Sequence, residues 1–473
     1  MRRAIYLLIG LGLFAGACAS AAPEQALPET TEVPETTTSS STMPVQESTT
    51  TTTTTSTTQA PSTTVPPISV QTGAQVLADS NFAQLSGSKV GLIAHQNSVV
   101  EVDGAQVHLS DALVATDAVD LVALFGPEHG VRGTADAGEL IDDEIDPDTG
   151  LPVFSLFGNT RQPTREMLEG IDVLVYDLQD VGTRYYTYIS TMGLAMQAAA
   201  DAGISFVVLD RPNPLGGEIG GGVLDPDRTS FVGQYPIPDR YGLTAGELAL
   251  QIVEQGWLSG LDGLDLEVVT LDGWTRDLLW SETGLEWIAP SPALDTVESA
   301  LLYPATIWFE ASAMSYGRGT EDPFRVLGAP WLDAEAAATE LRSRSLQGES
   351  FETTEITPTM LPGVTVAPAF LGQTIPAVRI RVDDPNAIDS TGLGVHLLDV
   401  MSAQASDAGT AFLNRPAWLN QLSGNTVLRT AIESGDFDVE AVLEAQREQR
   451  VGSVAVLTDA LLYGIKRQAR DGR

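Results

Sequence analysis

The sequence predicts an α/β fold: a Rossmann-like domain built on a parallel sheet, followed by a smaller α/β domain. Short runs rich in Val, Ile and Leu end abruptly in polar or turn residues, the pattern of fully buried parallel strands. Helix-like segments lie between them, which is the alternation of βαβ units. At 473 residues the chain exceeds what one hydrophobic core usually serves, so two domains are expected.

The first eighteen residues read as an address. Arg2 and Arg3 precede the apolar run AIYLLIGLGLFAGA, which then meets small residues and the single cysteine, Cys18. That order matches a secretory signal, and the run is shorter than the roughly 18 residues a membrane-spanning helix needs. FAGACAS resembles a bacterial lipobox, so Cys18 is the expected lipidation point and the chain is expected to sit outside the cytoplasmic membrane, lipid-anchored or secreted into the wall. Residues 19–69 are rich in Thr, Ser and Pro, with little apolar surface to bury, and read as a disordered stalk.

The first domain is expected over 70–292. Its strands are KVGLIAH (89–95), VDLVALF (119–125), IDVLVYD (171–177), ISFVVLD (204–210) and LDLEVVTL (264–271). Helices are expected at LSDALVAT, at YISTMGLAMQAAADAG with Gly203 as its C-cap, and after Thr244, where Glu247 three residues on completes a capping box. The second domain, 293–473, shows a strand at AVRIRVDD (377–384), a helix at GVHLLDVMSAQASDA, and two helical segments, VEAVLEAQREQR and SVAVLTDALLYGIKRQ.

Sixty-three Asp and Glu against 25 Lys and Arg give a formal net charge of -38, which repels a phosphate backbone and argues against nucleic acid as a partner. No phosphate-binding G-x-x-x-x-G-K-[ST] loop, H-E-x-x-H spacing or G-x-S-x-G elbow occurs. No cofactor and no metal are therefore expected.

In open parallel sheets ligands bind outside the carboxyl ends of the strands, and polar residues converge there. LFGPEHGVRG places Glu128, His129 and Arg132 straight after a strand, where a carboxyl beside apolar Phe125 and Pro127 suits a general acid. YDLQDVGTRYYTY offers Asp177, Asp180, Thr183, Arg184 and Tyr186, carboxylates with flanking aromatics, a set that suits a sugar. LDRPNPLGG adds Asp210, Arg211 and Asn213 in a proline-stiffened loop. WFEASAMSYGRGTEDPF contributes Glu310 and Arg318 beside glycines; if this loop faces the first domain, the site is an interdomain cleft. Each set also has a purely structural reading as caps, ion pairs and packed tyrosines.

At ALFGPEHGVRGTADAGE, VYDLQDVGTRYYTYISTM, LDRPNPLGG and YGRGTEDPFRVLGAPW the chain resembles the exo-β-N-acetylmuramidase family NamZ, from about residue 75 to the final LLY. It departs from the family pattern at Gly126 and at AHQNS near residue 95. The resemblance implies release of N-acetylmuramic acid from the non-reducing end of peptidoglycan fragments, in a cleft between a Rossmann-like domain and a smaller one, with Glu128 as the catalytic acid. Asp177 or Asp180 would then orient the substrate's acetamido group, or one of these or Glu310 would serve as base. The lactyl carboxylate calls for an arginine, with Arg132, Arg184, Arg211 and Arg318 available. A sugar- or muropeptide-binding lipoprotein without catalysis is the alternative.

Overall fold

Six short strands line up side by side in the order that the Rossmann topology dictates. The computed structural model describes residues 69–133, 138–458 and 461–464. The signal segment, Cys18, nearly all of the stalk and the end of the last expected helix lie outside these residues.

In chain order the first part comprises α1 (Gly73–Asp79), β1 (Lys89–Ala94), β2 (Val99–Val102), β3 (Ala105–His108), α2 (Leu109–Val114), β4 (Asp120–Gly126), β5 (Glu144–Ile145), β6 (Pro152–Ser155), β7 (Val173–Asp177), α3 (Tyr188–Ala202), β8 (Ser205–Leu209), β9 (Gly220–Val223), β10 (Pro238–Arg240), α4 (Ala245–Glu254) and β11 (Leu266–Val269). It continues with α5 (Val297–Thr306), β12 (Val326–Gly328), α6 (Ala334–Ser343), β13 (Glu349–Ile356), β14 (Ile375–Val382), α7 (Ser390–Asp407), α8 (Pro416–Leu422), α9 (Val427–Ser434) and α10 (Val439–Leu457).

The large sheet runs β11-β8-β7-β1-β4-β6-β5, parallel except for the edge strand β5. Counting the parallel strands in chain order gives 3-2-1-4-5-6 read from β6 to β11, so the order reverses between β1 and β7. At that switch point successive connections leave in opposite directions, and a crevice opens at the carboxyl ends. β1 is buried along its whole length after Lys89, because helices cover both faces.

Local chemistry explains the helix ends. Thr244 accepts from the Glu247 N–H at 3.2 Å while the Glu247 carboxylate accepts from the Thr244 N–H at 3.0 Å, the expected capping box. Gly203 closes α3 in the left-handed region, at φ 72°.

The second part differs from expectation in detail. Its sheet has three antiparallel strands, β12-β14-β13, of which only β14 was apparent as a run of alternating Val and Ile. The first of the two final helical segments and the start of the second form one helix, α10, across Gly452; it ends at Leu457, and residues 461–464, expected to continue it, are not helical. The β2–β3 hairpin, turned by Asp103 and Gly104 at φ 52° and 77°, was also missed; DG is a strong hairpin signal, but the flanking strands are too short to show alternation.

One apolar core holds residues on either side of position 292, including Tyr185, Tyr303, Trp308 and Leu398. Beside it lies Arg184, wholly buried, donating to Asp239 at 2.6 Å and to the Leu422 carbonyl at 2.8 Å. Replacing Arg184 by Met leaves the buried Asp239 carboxylate without its cation. A loss of about 3–5 kcal/mol in urea unfolding is the expected outcome, and a change under 1 kcal/mol would show that the pair is not a keystone.

Candidate active site

β4 delivers Glu128 to the carboxyl edge of the sheet, two residues past Gly126. The turn that follows is tight: His129 takes φ 74°, a conformation rare outside glycine, and Gly130 takes φ 78°. Strain of this kind persists only where surrounding structure enforces it. Here α3 does so, since the Tyr188 phenol donates to the Glu128 carbonyl at 3.2 Å and to that of Pro290 at 2.9 Å.

The carboxylate itself is held from two sides. Oε1 accepts from the Gly138 N–H at 3.0 Å and Oε2 from the Thr187 hydroxyl at 2.8 Å. Thr187 is the N-cap residue of α3, yet its side chain makes no capping bond. Its hydroxyl serves Glu128 instead, which sets the carboxylate against the positive end of a helix.

Glu128 opens onto a small cavity of about 60 Å³ lined also by His129, Tyr185, Tyr186, Thr187, Ser291, Leu294, Tyr303, Arg318 and Phe324. Glu128 is the one carboxylate among these lining residues. Arg318 makes no ion pair or hydrogen bond within the described residues, and its guanidinium lies 5.7 Å from the Tyr316 ring centre and 5.8 Å from that of Phe324. Burial works against its charge, but Tyr316, Glu310, Tyr303 and Glu128 outweigh that and hold its pKa above the ordinary arginine value. Glu310 stands behind it, accepting from the Tyr316 phenol at 3.2 Å and the Trp418 indole at 2.8 Å.

The remaining expected site residues lie elsewhere. Asp177 and Arg211 form a buried two-pronged pair at 2.6 and 2.9 Å. Asp210 accepts from the N–H groups of Arg211 (3.0 Å) and Gly246 (2.8 Å), from the Thr244 hydroxyl (2.7 Å) and from the Tyr463 phenol (2.6 Å), so it ties α4 and the far end of the described chain to β8. Asn213 donates to the Leu243 carbonyl at 2.9 Å and accepts from the Leu215 N–H at 2.9 Å. Arg132 bridges Asp146 at 2.8 Å and Asp111 at 2.9 Å, and its hydrogen bond holds the Asp146 carboxyl well below the usual range. Thr183 is fully buried in a bridge to Arg240, and Arg184 lies in the core. Asp180 accepts at Oδ2 from the Gly182 N–H at 2.6 Å and from the Tyr241 phenol, while its Oδ1 has no partner among the described residues.

Against known proteins, the N-terminal model of the exo-β-N-acetylmuramidase NamZ matches residues 90–298 and the C-terminal model matches 301–452. The peptidoglycan β-N-acetylmuramidase NamZ of Bacillus subtilis is 40% identical over 367 residues, 77% of this chain and 85% of that protein. The chain belongs to the NamZ family. It is accordingly a glycoside hydrolase. Two crystal structures of DUF1343-family proteins from Bacteroides fragilis share the fold. One is 36% identical with a TM-score of 0.76, covering 84% of this chain and 100% of that one. The other is 29% identical with a TM-score of 0.68, covering 84% and 99%.

The cavity gathers Glu128, His129, Tyr186 and Arg318 from three separate motifs. Sequence reasoning passed over Thr187, Ser291 and Tyr303. Thr187 sat inside a quoted motif, whereas Tyr303 falls in the apolar helix α5 and carries no local signal.

Burial pushes the Asp180 carboxyl up to about 6, against the donors at its other oxygen. The native state therefore binds this proton at a pH where the unfolded chain, near 3.9, does not. Stability from this group must rise as pH falls through 6 and level off near 4. Urea unfolding at pH 7.5 and pH 5 measures it: this group should give the native chain about 1 kcal/mol toward pH 5, and Asp180→Asn should gain correspondingly less. Equal gains in both would assign the effect to other groups, among them Asp210 and Asp239, whose carboxyls burial also pushes up to about 6.

Proposed function

We propose that this glycosidase releases N-acetylmuramic acid from the non-reducing end of peptidoglycan-derived glycans, with Glu128 as general acid and then base. The observation that carries the reading is the pairing, in one cavity, of a lone carboxylate with an arginine that makes no ion pair among the described residues. The carboxylate fits protonation of a glycosidic oxygen, and the guanidinium fits the lactyl carboxylate that sets muramic acid apart from glucosamine. Leu294, Tyr303, Arg318 and Phe324 follow position 292 and the other lining residues precede it, so the cavity reads as a cleft between the two halves.

With no second carboxylate at the cavity wall among the described residues, the substrate's own 2-acetamido group is the better nucleophile. Glu128 gives its proton to the leaving oxygen as the C1–O bond breaks and the acetamide oxygen closes on C1. Water then adds to C1 as the bond from C1 to the acetamide oxygen breaks and the acetamide is restored, the Glu128 carboxylate takes the water's proton, and configuration is retained. Thr187 and the Gly138 N–H fix the carboxylate through both steps, and the Tyr303 hydroxyl, which has no hydrogen bond among the described residues, is free for the sugar. The same reading places the protein on the outer side of the membrane, tethered through Cys18 or released into the wall, where its polymer substrate lies.

A chromogenic β-N-acetylmuraminide tests the role of Glu128. Glu128→Gln should lower release by about 10²–10⁴-fold or more while the sugar still binds; undiminished release would remove Glu128 from the chemistry. Arg318→Met should raise KM for the muraminide about ten- to a hundredfold. It should leave the matching glucosaminide unaffected, and equal losses on both would mean that Arg318 does not read the lactyl group.

A further inference from the structure

A second concavity lies on the other side of β1. It is a groove of about 450 Å³, within the roughly 300–1,000 Å³ typical of ligand sites, and shares no lining residue with the Glu128 cavity. Its floor is laid by Asn97 after β1, Gln179 after β7 and Arg211 after β8. It therefore occupies the switch point itself, where this topology opens a crevice.

The floor carries buried polar atoms that the described residues do not partner. Asn97 is 3% exposed, and neither its amide nitrogen nor its oxygen has a partner in the described structure. Gln179, 1% exposed, spends its amide N–H groups on the carbonyls of Asp180 and Pro212 at 2.7 and 2.9 Å, leaving Oε1 unpartnered. Buried polar groups without partners cost about 1–3 kcal/mol each, so something that hydrogen-bonds them there is favoured.

The rim selects the charge. Asp79, Glu101, Asp103 and Glu286 border the groove as exposed carboxylates, while Arg211, its one cation, is already neutralised by Asp177. Phosphates and other anions are repelled. A sugar would want an open aromatic face, and Trp280, 5% exposed, instead packs edge-on against Trp287. The free donor and acceptor of Asn97 match the C=O and N–H of one peptide unit.

The geometry points to this groove as a binding site for a short peptide bearing a free ammonium group, its backbone met by Asn97 and Gln179 and its cation by the acidic rim. On the proposed reading of the Glu128 cavity, wall glycans would bring amine-bearing peptides to the protein, but the groove's own chemistry stands without that reading.

Calorimetric titration of the full-length chain with alanyl-alanyl-lysine amide tests it. Saturable binding is expected, at least tenfold weaker for the peptide acetylated on both amines and weaker again at high salt. Glu101→Gln and Asp103→Asn, both on the exposed hairpin, should weaken it without altering the melting temperature, and Asn97→Leu should abolish it. Glu128→Gln should leave it unchanged. No saturable binding, equal binding of the acetylated peptide, or preference for chitotetraose would overturn the assignment. Muraminide release is measured separately, so failure of the catalytic reading and failure of this one are distinct results.

Discussion

The arrangement of this protein hangs on one buried cation. Arg184 leaves the β7 exit loop for a place with no solvent, and burial of a guanidinium is tolerated only with a carboxylate and further acceptors around it. Asp239, just before the end of β10, and the carbonyl of Leu422, at the end of α8, supply them. Glycine is required nearby: a Cβ on Gly424, at φ 73°, would stand 2.9 Å from Nη2, and one on Gly233 2.9 Å from Nη1. Because the Arg184 N–H also bonds the Asp239 carbonyl at 2.9 Å, the loop backbone is fixed as firmly as its side chain. The next three residues, Tyr185, Tyr186 and Thr187, are thereby carried to the wall of the Glu128 cavity.

That dependence explains how a strained loop tip can hold the proposed catalytic group. Glu128 lies on a turn that His129 enters at positive φ, and nothing in the turn itself would keep it there. The restraint comes from α3, through Thr187 on the carboxylate and Tyr188 on the carbonyl. Tyr186 and Tyr188 both donate to Pro290, which binds the segment leading into α5 to the same point. A site on a loop gains the rigidity of a helix in this way.

The strands were legible because burial on both faces leaves runs such as VGLIA and VLVY with no polar residue to hide the signal. The capping box at Thr244 and the stop at Gly203 were equally plain, being short-range chemistry. The antiparallel sheet of the second part was not, because β13, ESFETTEI, alternates polar with polar and declares itself only through its pairing with β14. The site was legible as motifs but not as partners. Asp177, Arg211, Asp210 and Asn213 carry the same residue types as a binding cluster, and which carboxylate meets which donor depends on contacts distant in sequence: Asp177 with Arg211, 34 residues on, and Asp210 with Tyr463, 253 residues on. Arg318 and Glu128 come from motifs nearly 200 residues apart, and no spacing rule joins them.

The switch point gives the strand-end chemistry two addresses rather than one. β1 separates them: Glu128 arrives from β4 on one side, while Asn97, Gln179 and Arg211 come from the ends of β1, β7 and β8 on the other. The divider is His95, wholly buried, with its ring 6.2 Å from that of His129 and 5.6 Å from that of Tyr188. Burial, with His129, His108 and Arg211 close by, holds its pKa well below the ordinary histidine value, so the partition is neutral. Gln96 completes it by donating to the Ala289 carbonyl at 2.7 Å, one residue before Pro290 takes the two tyrosines. A neutral, close-packed wall lets an acidic groove and an arginine-bearing cavity keep opposite preferences for charge within one sheet edge, because neither has to share its ions with the other.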